Sequence, residues 1–112
     1  MKGTYLGEFE ELVLLAIGVL FDNAYGVAIK KELEEQTKRT ISIGAIHAAC
    51  NRLEDKGFLE SRFSEPSKTR GGKKKKLYTV TRYGQRALAD SRDLRMQMWS
   101  RIPKIAFKLD LS

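Results

Sequence analysis

Ser42-Ile43-Gly44-Ala45-Ile46-His47-Ala48-Ala49-Cys50-Asn51-Arg52-Leu53-Glu54-Asp55-Lys56-Gly57 is the stretch whose reading decides the fold. Ile43, Ile46, Cys50 and Leu53 recur at three- and four-residue spacing, which predicts a helix with one buried stripe. Ser42 is suited to cap its start and Gly57 to stop its end. The opposite face carries Gly44, Ala45, His47, Ala48, Asn51 and Arg52. Short side chains leave room for the walls of a DNA groove, while Asn bonds adenine edges and Arg guanine edges.

Working outward, residues 58–63 and 75–81 read as two strands around a polar loop, with Leu59, Ser61 and Phe63 on one face of the first and Tyr78 and Val80 inward on the second. The loop and its flanks hold the densest charge in the chain. Between Ser61 and Val80 lie Arg62, Lys68, Arg70, Lys73, Lys74, Lys75 and Lys76 against Glu65 alone, a net +6 of the chain's +7. A basic loop beside a small-residue helix fits a duplex reader whose loop neutralises phosphates, with Arg70 and Lys73 to Lys76 as the grip.

Upstream, residues 7–21 form a predicted helix in which Phe9, Leu12, Val13, Ala16, Ile17 and Leu20 share a face and Leu15 and Val19 widen it. A helix apolar on two sides is expected to touch its own core and something else as well: it is either a central core helix or one whose second face meets a partner subunit. Residues 25–37 form a second helix, with Ala28, Ile29 and Leu33 inward. Tyr25 and Gly26 stand at its start, where free backbone N–H groups receive a phosphate.

Downstream, Thr81 caps a long helix running from 82 to at least 100. Leu88, Ser91, Arg95, Met98, Ile102, Ile105 and Leu109 alternate spacings of three and four, an imperfect coiled-coil-like seam with Leu94 and Trp99 beside it. So small a domain has little surface to cover that stripe, and a symmetric dimer supplies it, with Leu88, Leu94, Met98, Trp99, Ile102 and Ile105 as the expected interface. Pro103 is expected to end or kink the helix. The fold expected is therefore mainly α with a small antiparallel β-ribbon: a winged helix-turn-helix over 1–81 and a C-terminal dimerisation helix over 82–112.

The 112 residues support one modest core, and pI near 9.7 favours a polyanionic partner. One cysteine fits a reducing compartment, and the apolar run 12–21 is about half of a membrane span, so a cytoplasmic protein without a membrane partner is expected. No cofactor and no enzymatic machinery are expected. His47 and Cys50, three apart, are too few for a metal, and Gly71-Gly72 lacks the spacing of a nucleotide-binding loop.

The ordered segments 6–16, Tyr25-Gly26, 42–47, 52–59, 70–78 and 79–84 together resemble the PadR family of bacterial transcription regulators over roughly 6–88. The resemblance implies a winged-helix homodimer that represses by binding a palindromic operator in double-stranded DNA. The family usually carries tyrosine, associated with backbone contact, where this chain has His47, and leucine where it has Cys50. Histidine still donates to a phosphate, more strongly when protonated. Compact members of the family bind flat aromatic compounds between the subunits, beside a tryptophan of the last helix. Trp99 with Ile102 resembles that segment, and Phe9 and Leu12 are the expected first-helix contribution. The alternative is that Trp99 packs the dimer core and binds nothing. Two other classes share the exposed faces: a protein–protein adaptor, and a sequence-tolerant nucleic-acid coater.

Overall fold

The computed structural model describes residues 5–65 and 74–107. Arg70, Lys73 and the Gly71-Gly72 pair of the expected loop tip, and Leu109 of the expected seam, lie outside the described residues. The helices are α1 (Glu8–Leu20), α2 (Gly26–Thr37), α3 (Ile43–Asp55) and α4 (Arg82–Arg101), with 3-10 turns at Phe21–Asn23 and Lys104–Phe107. Between α3 and α4 run β1 (Leu59–Phe63) and β2 (Lys76–Val80), antiparallel, with Leu59 opposite Val80, Ser61 opposite Tyr78 and Phe63 opposite Lys76.

The core is built by the faces the periodicity marked. Val13, Leu14 and Ile17 of α1, Ile29 and Leu33 of α2, and Ile46, Cys50 and Leu53 of α3 close around Phe58, Leu59 and Tyr78. Each such side chain removed from water contributes about 1.5–3 kcal/mol. Three expectations need correction. Ile43 is half exposed, because it occupies the first turn of α3 and overlooks Gly26; Ala49 takes the buried place instead. Leu77 is buried, and Val80 and Phe63 are less so than expected. The cause is Tyr25. It is not helical but extended (φ −113°, ψ 167°), bridges to Leu77, and lets the Tyr78 N–H donate to the Ala24 carbonyl at 2.9 Å. β2 therefore has a neighbour on both edges, and Leu77 is covered by the turn after α1.

α4 is joined to this body between Thr81 and Arg95. The Thr81 hydroxyl accepts from the Gly84 N–H at 3.0 Å and donates to the Gly57 carbonyl at 2.7 Å. Gly84 is buried, and a Cβ there would stand 2.3 Å from the Phe58 carbonyl oxygen, so no other residue lets α4 approach the strand so closely. Two turns further, Ser91 Oγ donates to Glu11 Oε2 (2.9 Å), and one turn beyond that Arg95 pairs with Glu11 Oε1 (3.3 Å). The two polar residues that made the seam imperfect are thus the ones that face α1. Pro103 ends the helix: Ile102 is already extended.

Candidate nucleic-acid interface

The position of α3 is set at both ends. The Ser42 hydroxyl accepts the Ala45 N–H at 3.0 Å, as its place before an apolar-periodic run predicts. At the far end Glu10 of α1 is the anchor. Its carboxylate is 6% exposed and receives Lys56 Nζ at 2.6 Å, Arg52 Nε at 2.8 Å and the Gly7 N–H at 3.1 Å. Burial disfavours its charge, but the Lys56 ammonium, the Arg52 guanidinium and the Gly7 N–H outweigh that and hold its pKa below the ordinary 4.5. Sequence reading did not single out Glu10. The signal that marks it is its spacing from Val13, Leu14 and Ile17, which puts it on the buried stripe.

With both ends fixed, α3 presents Gly44, His47, Ala48 and Asn51 to solvent, with Ala45 half-buried. A helix with such short side chains fits a major groove about 12 Å wide. Arg52 departs from expectation. Its guanidinium turns to Glu10 rather than standing on the groove face, because a buried carboxylate needs a counter-charge.

Beside the exposed face lies a cleft of about 470 Å³ where α2, α3 and β2 meet. Tyr25, Gly26, His47, Asn51, Lys75 and Lys76 line it, so the structure brings together residues that are as much as 51 positions apart in sequence. Gly26 lets the imidazole come close: a Cβ there would lie 2.9 Å from His47 Nε2 and 3.3 Å from Ile43 Cδ1, so a larger residue would push those side chains aside. The Lys75 ammonium sits 4.0 Å over the Tyr25 ring, a cation–π contact that holds it at the cleft. Lys76 reaches Glu54 Oε1 at 3.6 Å, and Lys74 is exposed.

The order of elements, with a capped helix exposing small residues beside a basic two-stranded ribbon, is that of a winged-helix DNA reader. The Transcriptional regulator PadR-like family model matches residues 14–90. The chain belongs to the PadR-like family of transcriptional regulators. Solved structures agree. H. salinarum RosR in the hsRosR-S1 complex is 27% identical, over 87% of this chain and 79% of that one, at a TM-score of 0.68. A PadR family regulator from Clostridium difficile R20291 is 25% identical, over 91% and 97%, at 0.67. One from Eggerthella lenta DSM 2243 is 25% identical, over 94% and 88%, at 0.65. No curated protein matches the chain. As a PadR-like protein the chain is a DNA-binding transcriptional regulator and not an enzyme.

The remaining PadR-like features sit away from the cleft. Cys50 is fully buried, and burial, with the Glu54 carboxylate adding to it, pushes its thiol up to about 12 against the opposing Tyr78 hydrogen bond and Lys76 charge. It and the exposed His47 face different surroundings. Along α4, Leu94, Met98, Trp99 and Ile102 are exposed, as is Ile105 beyond it, while Leu88 packs partly on the chain's own core. Sequence reading missed Met96 and Phe107, both exposed; Met96 lies off the 3.5-residue seam, and Phe107 follows Pro103. Trp99 and Phe107 rings stand 5.9 Å apart. A groove of about 620 Å³ between α1 and α4 is lined by Glu11, Leu15, Leu88, Met96 and Trp99. Phe9 and Leu12 do not line it. Phe9 turns toward Arg39, Ile41 and Ala45, and Leu12 packs on the core; Leu15, one turn beyond Glu11, takes the expected place. No helix of the described residues is long and apolar enough to cross a membrane.

Proposed function

We propose that the protein is a homodimeric repressor that reads a palindromic operator with α3. The observation that carries the reading is the exposed small-residue face of α3 opening directly onto the cleft of Tyr25, His47, Asn51, Lys75 and Lys76. Asn51 and His47 meet base edges and backbone, Ala45 and Ala48 allow close approach, and Ser42 and Gly26 bring backbone N–H groups to phosphates. Arg70 and Lys73 to Lys76 bind flanking phosphates and carry no sequence information. Arg52 serves first to seat α3 on Glu10.

The pairing of two copies is supported by the apolar residues that α4 leaves uncovered: Leu94, Met96, Met98, Trp99 and Ile102. A twofold arrangement covers them with their own equivalents. Residues 82–112 are then the pairing segment and 1–81 the DNA-binding part. Exposure of Trp99 above the α1/α4 groove supports a second element of the reading, a planar aromatic effector stacked on it at the subunit boundary. Such a ligand releases DNA only if it binds the free and bound spacings of α3 unequally.

Selection of bound duplexes from random DNA tests the proposal. An enriched inverted repeat, with half-sites about one helical turn apart, is the expected result. Enrichment of no sequence at all would replace the repressor with a sequence-tolerant coater.

A further inference from the structure

His47 is the chain's one histidine, and its imidazole rests against the backbone of Gly26 at the floor of the cleft. Lys75 is held over the same opening by the Tyr25 ring. Among the described residues, the titratable and charged groups around the imidazole are few. The start of α2 supplies Tyr25; the wing supplies Lys75, Lys76 and Tyr78. α3 itself supplies Cys50, buried and bonded to Tyr78, and Glu54, which is turned to Lys76 and accepts from Ser61 Oγ at 2.7 Å. One turn along α2, Lys30 and Glu34 pair with each other at 3.0 Å. The carboxylates near the cleft are therefore engaged elsewhere, and the cleft opening itself is positive.

We propose that this cleft takes one backbone phosphate of the duplex, gripped by Lys75 and by His47 in its imidazolium form, so that each protomer takes up a proton on binding DNA. The inference rests on the DNA-binding reading above and adds to it a defined subsite and a proton stoichiometry. A phosphodiester is an anion with two strong acceptor oxygens, and a charged donor bonds it about twice as strongly as a neutral one. Imidazole changes charge between about pH 5 and 8, and an anion within hydrogen-bond reach favours the charged form. The bound form of His47 holds its proton to higher pH than the free form. Affinity is then greatest at low pH and declines as pH rises through the bound-state titration. The proton comes from solvent, and no covalent bond changes.

The experiment titrates a duplex chosen by the protein at about pH 5.5 to 8.5 and fixed ionic strength. Wild-type affinity is expected to fall about five- to tenfold for each protomer across the range, a bound-state shift approaching one pH unit per site. His47→Gln keeps a donor without the titration and is expected to give a flat profile. Neutral methylphosphonates placed in symmetry-related pairs along the two half-sites are expected to abolish the pH dependence at one pair of positions, where affinity also drops; that result assigns the anion to the DNA backbone and not to free phosphate. A flat wild-type profile overturns the proposal. So does a slope that persists in His47→Gln or at every methylphosphonate position. Binding to no duplex at any pH is a different failure, and it removes the DNA-binding reading and this subsite together.

Discussion

Glu10 is the buried carboxylate on which the interface depends. Its replacement by alanine removes three hydrogen bonds, two of them from charged donors. Lys56 and Arg52 both reach water, so the loss is that of the bonds rather than of stranded charges, about 2 kcal/mol. Because the folded-state pKa is lowered, this stability is present above the ordinary 4.5 and is lost as pH falls through the lower folded value. Urea titrations at pH 7 and at about pH 3 check both points: the gap between wild type and Glu10→Ala is expected to be full at neutral pH and to shrink in acid. At this scale the sequence was legible wherever a residue acts through its own periodicity, as Ser42, Cys50 and Leu53 do. It was illegible where a role depends on a distant partner. Arg52 sits on an exposed face in any helical projection, and only the fold brings Glu10, 42 residues away, to claim its guanidinium.

Among the elements, the wing and the α4 junction make separate demands. Lys74, Lys75 and Lys76 are the lysines of the described wing, and each phosphate contact contributes about 0.9 to the log–log salt slope. Replacing all three by alanine is expected to lower the slope by about two to three for each protomer bound and to weaken every duplex alike; titrations over a salt series read both. A loss confined to particular sequences would make the wing a reader of bases. At the junction, Gly84→Ala forces a Cβ against the Phe58 carbonyl. Overpacking of this kind costs about 1–3 kcal/mol, read as a lowered Tm, and it separates α4 from the body it should hold. The elements themselves followed from the patterns of spacing and caps. The register of burial in β2 did not, because a single extended residue, Tyr25, flanks that strand from outside the ribbon, and no local pattern marks Tyr25 as a strand partner.

The proposed function draws on two surfaces of the molecule: the basic cleft with α3, and the exposed apolar residues of α4 from Leu94 onward. Leu94→Asp with Ile102→Asp places charges on that apolar face without touching the core and is expected to give folded monomers by light scattering, with DNA affinity reduced at least tenfold. An undiminished dimer would move the interface elsewhere. The need for a cover on α4 was visible in sequence from the length of its stripe. Which residues face inward was not, since Ser91 and Arg95 are explained only by Glu11 opposite them. The central claim is that α3 and its cleft read DNA sequence. It is tested most directly by titrating the duplex enriched from random DNA against a scrambled duplex at two salt concentrations. A preference of about 1,000-fold or more, retained at the higher salt while both affinities fall, is the result predicted. Equal affinities lost together in salt would contradict it.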